Sequence, residues 1–386
     1  MGARTRSALA ALATTAAVLA AACSPPAPAD EPTTPVGDDA IGLDQLQYLG
    51  SHNSYKVRPS TGLLLALGIG SGLVPGVAQG LDPAQLDYGH RPLTEQLRSG
   101  LRTFELDIWA DPTGGRFARP LAAQFLGQPY PAGVDAPGMK VLHIQEIDYR
   151  STCPTLVACL GELRAWSDAH PGHLPITINL ELKADPLPPP FDVTPIQPFD
   201  AAQLAAVDAE IRSVVGDRLI TPDDVRDGAP DLRTAVTTVG WPSVRESRGR
   251  FLFFMDNADR RAAYLGLHPG LRGAVMFTSS GFGQPDAAVL KVNDPDDGRR
   301  IRELVEEGYL VRTRADADVV RPSTSQRDAA LSSGGQLVHT DFPAGEAQAF
   351  TGYVVQFPTR AQARCNPVNT TPATCGPAVA VEPVRP

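Results

Sequence analysis

The stretch Leu46-Gln47-Tyr48-Leu49-Gly50-Ser51-His52-Asn53-Ser54-Tyr55 begins as a short apolar run, breaks at a Gly-Ser turn and then presents His52 and Asn53 side by side. Alone, a His-Asn pair at a strand end reads as an ordinary hydrogen-bonded loop. Three later runs give it weight, because each is strand-like and each ends in groups that can complete one site. They are Thr103-Phe104-Glu105-Leu106-Asp107, Val141-Leu142-His143, and Ile176-Thr177-Ile178-Asn179-Leu180-Glu181-Leu182-Lys183. Side chains alternate along a strand, so Glu105 and Asp107 project to one face, and so do Glu181 and Lys183. Charged residues inside apolar runs of this kind are costly to bury without a purpose.

Further runs extend the pattern: 46–49, 101–108, 140–144, 176–182, 251–255, 273–277, 309–311 and 336–339 give eight strand candidates. Amphipathic helices lie between them, with Leu156, Leu160, Leu163 and Trp166 at helical spacing in one and Leu204, Val207, Ile211 and Val214 in another. Alternating strands and helices imply a parallel sheet. Eight strands over roughly 300 residues fit an α/β fold of the (β/α)8 TIM type. A doubly wound open sheet is the alternative that spacing leaves open.

In a barrel every strand C-terminus emerges at one rim. That brings Asn53, Glu105, Asp107 and Glu181 into one oxygen-rich cluster, with His52 and His143 beside it. Carboxylates held so close repel one another unless a cation or proton sits between them. Hard oxygen ligands suit Ca²⁺ or Mg²⁺ rather than zinc or copper. The bland alternatives are a salt-bridged Glu105 and Asp107, a satisfied core His143 and a rim ion pair at Lys183.

The bulk numbers set the outer limits. With 386 residues, 42% hydrophobic and 20% charged, the chain can bury a substantial core. A net charge of −9 without a basic run argues against nucleic acid as a partner. Residues 1–22 read as a secretory signal, with Arg4 and Arg6 ahead of an Ala/Leu/Val run that ends in small residues. Cys23 directly after Ala20-Ala21-Ala22 resembles a lipoprotein cleavage site, so a secreted or lipid-anchored protein is expected. Residues 23–43 form a Pro/Ala-rich tether, 44–344 the barrel, and 345–386 a C-terminal extension. Cys153 with Cys159 and Cys365 with Cys375 are close pairs, which in an oxidising compartment read as small disulfide loops. His170 and His173 after the first pair fit no common zinc spacing.

Rival signatures are missing: there is no Gly-x-Ser-x-Gly elbow, no His-Glu-x-x-His and no phosphate-cradling Gly-Lys-Ser/Thr loop. The blocks that are present, Ser51-His52-Asn53-Ser54-Tyr55, Phe104-Glu105-Leu106-Asp107, His143 after a strand, and Leu180-Glu181, resemble the successive catalytic blocks of calcium-dependent phosphoinositide-specific phospholipases C. The bacterial secreted branch is similar also in Trp166-Ser167-Asp168-Ala169-His170-Pro171-Gly172-His173. The resemblance spans residues 44 to 375.

It implies a TIM-type barrel, one Ca²⁺ held by Asn53, Glu105, Asp107 and Glu181, and two catalytic histidines, His52 and His143. It implies in-line attack of the inositol 2-hydroxyl on phosphorus, with a general base supplied by Glu105 or Glu181. His52 would stabilise the charged phosphorus centre, and His143 would protonate the departing diacylglycerol oxygen or support its charge. Lys183 is the first candidate to contact substrate, followed by Arg314 and Arg312. No clear set of ring-phosphate ligands stands out, so unphosphorylated phosphatidylinositol is the expected membrane substrate, for an expected monomer. Two rivals stay open. A glycerophosphodiester phosphodiesterase shares the barrel but shows His-Arg where this chain has His-Asn. A non-catalytic lipid- or inositol-binding lipoprotein is the other.

Leu63–Ala78 stands apart: it is apolar, uncharged and interrupted by Gly68, Gly70, Gly72 and Gly76. The glycines argue against a stable helix. Following the first strand, the segment is expected to overhang the rim, either folded on the barrel or as a flap whose Leu63, Leu64 and Leu65 touch lipid.

Overall fold

In a computed structural model of the chain, the structure describes residues 38–73, 82–187, 189, 191–295, 298–358, 361–371 and 375. Residues Thr34–Pro386 form one compact unit. The signal at 1–22, Cys23 and most of the tether lie outside the described residues. The strands are β1 (Leu46–Ser51), β2 (Thr103–Asp111), β3 (Gly138–Val141), β4 (Ile176–Leu182), β5 (Leu219–Ile220), β6 (Phe251–Met255), β7 (Met276–Phe277), β8 (Val289–Lys291), β9 (Leu310–Arg314), β10 (Leu337–Thr340) and β11 (Ala363–Cys365). The helices that matter most for the site and its support are α1 (Thr61–Leu73), α2 (Leu93–Arg98), α3 (Leu121–Leu126), α4 (Leu156–Ala169) and α5 (Ala201–Val215).

Strand alternation builds the barrel wall. In β2, Phe104, Leu106 and Ile108 turn one way and join the main apolar core, while Thr103, Glu105 and Asp107 turn the other. In β4, Ile176, Ile178, Leu180 and Leu182 oppose Thr177, Asn179 and Glu181 in the same manner. The two strands are parallel, in a register that sets Glu105 beside Asn179 and Asp107 beside Glu181. Helices cover the apolar face. The α4 helix, capped by Thr155, brings Leu156, Leu160, Leu163 and Trp166 to the core, and α5, capped by Asp200, brings Leu204, Val207, Ile211 and Val215. Burying one such leucine contributes roughly 1.5–3 kcal/mol.

The hydrogen-bonded order is β5-β6-β4-β2-β1-β10-β9-β8, with β7 on β6, β3 on β2 and β11 on β1. β1 is bonded both to β2 and to the late strand β10, so the sheet curls round on itself. That pairing rules out the doubly wound alternative. Gly50 makes the first contact possible: a Cβ there would stand 2.0 Å from the carbonyl oxygen of Thr103. The fold is a TIM-type barrel. Its staves are β1, β2, β4, β6, β7, β8, β9 and β10, and among the described residues no ladder joins β7 to β8.

Three expectations change. The run 140–144 is not a barrel stave: β3 pairs antiparallel to β2, Ile108 opposite Val141. The six-residue α3 between β2 and β3 is too short for the crossover a parallel return requires. The missing stave is β8, a three-residue strand with no periodicity to betray it. Leu63–Ala78 is the third. As far as Leu73 it lies in helix α1, while 74–78 fall outside the described residues. Leu63 and Leu67 are buried with Leu86, Ala122, Ala123, Ile147 and Tyr149, and Ser60 Oγ accepts from Leu63 N at 3.3 Å. That burial outweighs a cost of about 1 kcal/mol for each interior glycine.

Candidate active site

The turn after β1 is knitted by its two serines. Ser51 Oγ lies 2.7 Å from Ser54 Oγ and donates to Gln96 Oε1 of α2 at 2.5 Å. Ser54 N donates to the carbonyl of Glu105 at 2.9 Å, and Glu105 N donates to Ser54 Oγ at 2.8 Å. These bonds carry the β1–β2 contact past the strand end and set Asn53 next to the acidic end of β2. Asn53 has φ +50°, a left-handed conformation that asparagine tolerates. Its Nδ2 donates to the hydroxyl of Tyr88 at 2.7 Å, while its Oδ1 is buried without a hydrogen-bond partner.

Glu105, Asp107 and Glu181 each offer an oxygen, all within 4.8 Å of one another. Asp107 is fully buried and neither of its carboxylate oxygens has a hydrogen-bond partner. Burial and the neighbouring Glu181 raise its pKa well above the ordinary aspartate range, against the pull of Lys183. Glu105 goes the other way. Burial alone would raise it, but Arg312, His52 and His339 hold it well below the ordinary value. Its Oε2 is bound by the buried Arg312 guanidinium and by His339 Nδ1 at 3.0 Å, leaving Oε1 toward the cluster. His339 is pushed down to about 4 by burial and Arg312; its Nδ1 lies 3.0 Å from Glu105 Oε2 and its Nε2 2.7 Å from Thr103 Oγ1. Glu105, Asp107 and Glu181 are clustered hard oxygen donors that fit Ca²⁺, and Asn53, whose own oxygen is unpartnered, stands on the turn that hydrogen-bonds Glu105.

Both histidines stand on carboxylates that the strand pattern did not point to. His52 Nδ1 lies 2.7 Å from Asp341 Oδ1, and its Nε2 is 3.6 Å from Glu105 Oε1. Asp341 is held far below the aspartate range: burial opposes, but Arg314 and His52 prevail. His143 follows β3, and its Nδ1 lies 2.8 Å from Asp148 Oδ2. In each case the ionised carboxylate accepts the Nδ1 proton, which leaves Nε2 for chemistry. His143 sits below the usual imidazole value, through burial first and then Lys56 and Lys183, with Asp148 opposing.

The candidate substrate cations are present but engaged. Lys183 Nζ is 3.0 Å from Glu181 Oε1 and 3.6 Å from Asp107 Oδ2. Arg314 donates to Asp341 at 2.9 Å and lies 3.4 Å from Asp316, so it stands behind His52. Arg312 is buried on Glu105 and Asn293. Asp341, Asp148, Tyr88 and His339 were missed from the sequence. Only Asp341 carries a signal, standing directly after the last apolar run as Val338-His339-Thr340-Asp341.

The family model described as "Phosphoinositide phospholipase C, Ca2+-dependent" matches residues 41–367. Among solved structures, the apo form of a calcium-dependent phosphoinositol-specific phospholipase C from a Pseudomonas species superposes with a TM-score of 0.51 at 16% identity, covering 86% of this chain and 97% of its own. The same Pseudomonas enzyme with myo-inositol gives 0.51 at 16% identity, covering 87% and 100%. A Ca²⁺-dependent phosphatidylinositol-specific phospholipase C from Streptomyces antibioticus gives 0.50 at 18% identity, covering 78% and 95%. At these identities the structures speak to the fold alone. No curated protein matches the chain.

Proposed function

The chain belongs to the Ca²⁺-dependent phosphoinositide phospholipase C family, which makes it a phosphodiesterase with Ca²⁺ as cofactor, and from that premise we propose that it cleaves unphosphorylated phosphatidylinositol into diacylglycerol and a cyclic inositol phosphate. The observation that supports the reading is the clustering of Glu105, Asp107 and Glu181, with the oxygen of Asn53 buried without a partner and two histidines each fixed by a carboxylate. Those four residues would hold the cation. They fall short of the six to eight oxygens Ca²⁺ takes, which leaves room for substrate and water. When bound, the ion supplies Lewis-acid stabilisation of phosphoryl charge and lowers the pKa of the attacking inositol 2-hydroxyl.

The remaining work falls to side chains. Glu105, kept ionised by Arg312, is a weak proton acceptor, so Glu181 is the better general base for the 2-hydroxyl. His52, pinned by Asp341, turns Nε2 toward the cluster and supports charge on the phosphorus oxygens. His143 holds the proton at Nε2 that the departing glycerol oxygen takes up.

An unphosphorylated headgroup suits the state of the rim cations. Lys183 is paired with Glu181, Lys291 with Asp256 at 2.5 Å, Arg314 with Asp341 and Arg312 with Glu105. A ring phosphate would have to displace a carboxylate from one of them. For site of action, the disulfides Cys153–Cys159 and Cys365–Cys375 favour an oxidising compartment outside the cytoplasm. Among the described residues no helix is long and apolar enough to cross a membrane. Peripheral contact is better served: α1 exposes Leu65 and Ile69 at 62% and 63%, and the neighbouring α3 exposes Phe125 at 79%. These helices follow β1 and β2 at the catalytic rim and form a lipid-facing patch in this reading.

The test is product analysis with phosphatidylinositol, a phosphorylated phosphatidylinositol and glycerophosphoinositol, each with and without chelator. Chelator-sensitive release of diacylglycerol and cyclic inositol phosphate, fastest from the unphosphorylated lipid, is expected. Release of free inositol and glycerol 3-phosphate from glycerophosphoinositol, with the lipid untouched, would establish the glycerophosphodiesterase alternative instead. Replacing Leu65, Ile69 and Phe125 by Ser should reduce turnover of vesicle lipid while sparing glycerophosphoinositol. Equal losses on both would remove the lipid-facing patch from the account.

A further inference from the structure

Lys56 is wholly buried, with an exposure of 0% for its side chain, and its ammonium has an unusual set of neighbours. It donates to the carbonyls of Leu86 at 2.8 Å and Tyr88 at 2.7 Å, and sits 4.2 Å from the centroid of the Tyr88 ring. It also lies 3.2 Å from Asp148 Oδ2, the same oxygen that accepts His143 Nδ1 at 2.8 Å. On its other side, the Tyr88 hydroxyl accepts from Asn53 Nδ2 at 2.7 Å and stands 3.4 Å from His52 Nδ1. One buried charge therefore touches the supports of both histidines.

We propose that Lys56 is a positioning residue for the reaction: by sharing Asp148 Oδ2 with His143 it limits how far that carboxylate stabilises imidazolium, and so keeps His143 acidic enough to release its proton to the leaving glycerol oxygen. The inference rests on the phospholipase reading above. An ionised aspartate facing a histidine alone favours the protonated ring and weakens it as an acid. An ammonium on the same oxygen opposes that effect and also compensates a carboxylate that could not be buried unpaired. The charged groups bearing on His143 are Asp148 from its own loop, Lys56 from the segment after β1, and Lys183 from the end of β4. Burial is the largest influence on His143, and both lysines add to it in the same direction.

Three full-length variants test this: Lys56→Met, Asp148→Asn and the double. The readouts are the NMR titration of His143 with Ca²⁺ present, and the pH profile of kcat/KM on phosphatidylinositol in detergent micelles. Lys56→Met should raise the His143 midpoint and carry the alkaline limb of kcat/KM upward with a lower plateau. Asp148→Asn leaves the ammonium uncompensated and should lower the midpoint. Adding Lys56→Met to it should bring the midpoint back up, by on the order of one pH unit. If Lys56→Met does not fold, the comparison of Asp148→Asn with the double still decides, because the double buries no unpaired charge. Identical His143 midpoints in those two would reduce Lys56 to a structural role and overturn the proposal. A moving midpoint without lipid turnover in the wild-type chain would instead remove the phospholipase reading and leave the electrostatic coupling standing.

Discussion

At the scale of single residues, the site is a set of opposed charges. Asp107 is pushed toward its protonated form by burial and Glu181, while Glu105 is kept ionised by Arg312. Since a raised carboxyl must give up its proton before it can bind a cation, Ca²⁺ affinity should fall with falling pH at values where an exposed aspartate is still ionised. Titration calorimetry in buffers of different ionisation enthalpy should detect the released proton, and Asp107→Asn should abolish that release. His143 sets the opposite limit. In the proposed reaction it acts protonated, and its pKa is lowered by burial from the usual imidazole value, so kcat/KM should decline as pH rises through that lowered value. His52→Ala and His143→Ala should each cost about 10²–10⁴-fold in rate with the fold intact, checked by circular dichroism beside kinetics. Near-normal turnover in either would make that histidine a packing residue. The clustering of Glu105, Asp107 and Glu181 was legible because β2 and β4 alternate, polar residues on one face and apolar on the other. Asp148, Tyr88 and Lys56 were not, because loops carry no periodicity and their roles depend on contacts made across the chain.

At the scale of elements, helix α1 shows propensity yielding to packing. Its glycines predict a broken segment, yet Leu63 and Leu67 find a buried apolar surface on α3 and its surroundings. A single sequence does not announce that surface, since it is assembled from residues 86, 122, 123, 147 and 149. β3 is the reverse case: its apolar run is read correctly as strand, but direction depends on a connection too short to cross the sheet. The nearby Cys153–Cys159 bond ties the start of α4 to the loop that carries Asp148 and His143. Replacing both cysteines by Ser should lower stability by about 2–3 kcal/mol at most, since the closed loop is short. Urea unfolding measures this, and a larger loss would mean the bond also orders the His143 loop.

At the scale of the whole molecule, the barrel was legible from eight apolar runs alternating with helices, and its seam was not. β7 has two residues and β8 three, with no helix between them. The intervening loop closes on itself instead: buried Asp286 accepts from Thr278 Oγ1 at 2.7 Å and Arg261 Nε at 2.8 Å. Strand amides flanking the seam should therefore exchange fastest in the wall, and those of β2 and β4 slowest. Uniform protection in hydrogen exchange would show that the seam closes in solution. The opposite side of the wall has its own timetable. β1 lies parallel to β10 and takes an antiparallel partner in β11, with Leu46 opposite Cys365 and Tyr48 opposite Ala363. A chain emerging from the ribosome N-terminus first exposes β1 early and offers its clasp last. Until residues 337–365 have followed, β1 lacks both its β10 and its β11 partner, so the two halves of the wall cannot be joined before the chain is almost fully made.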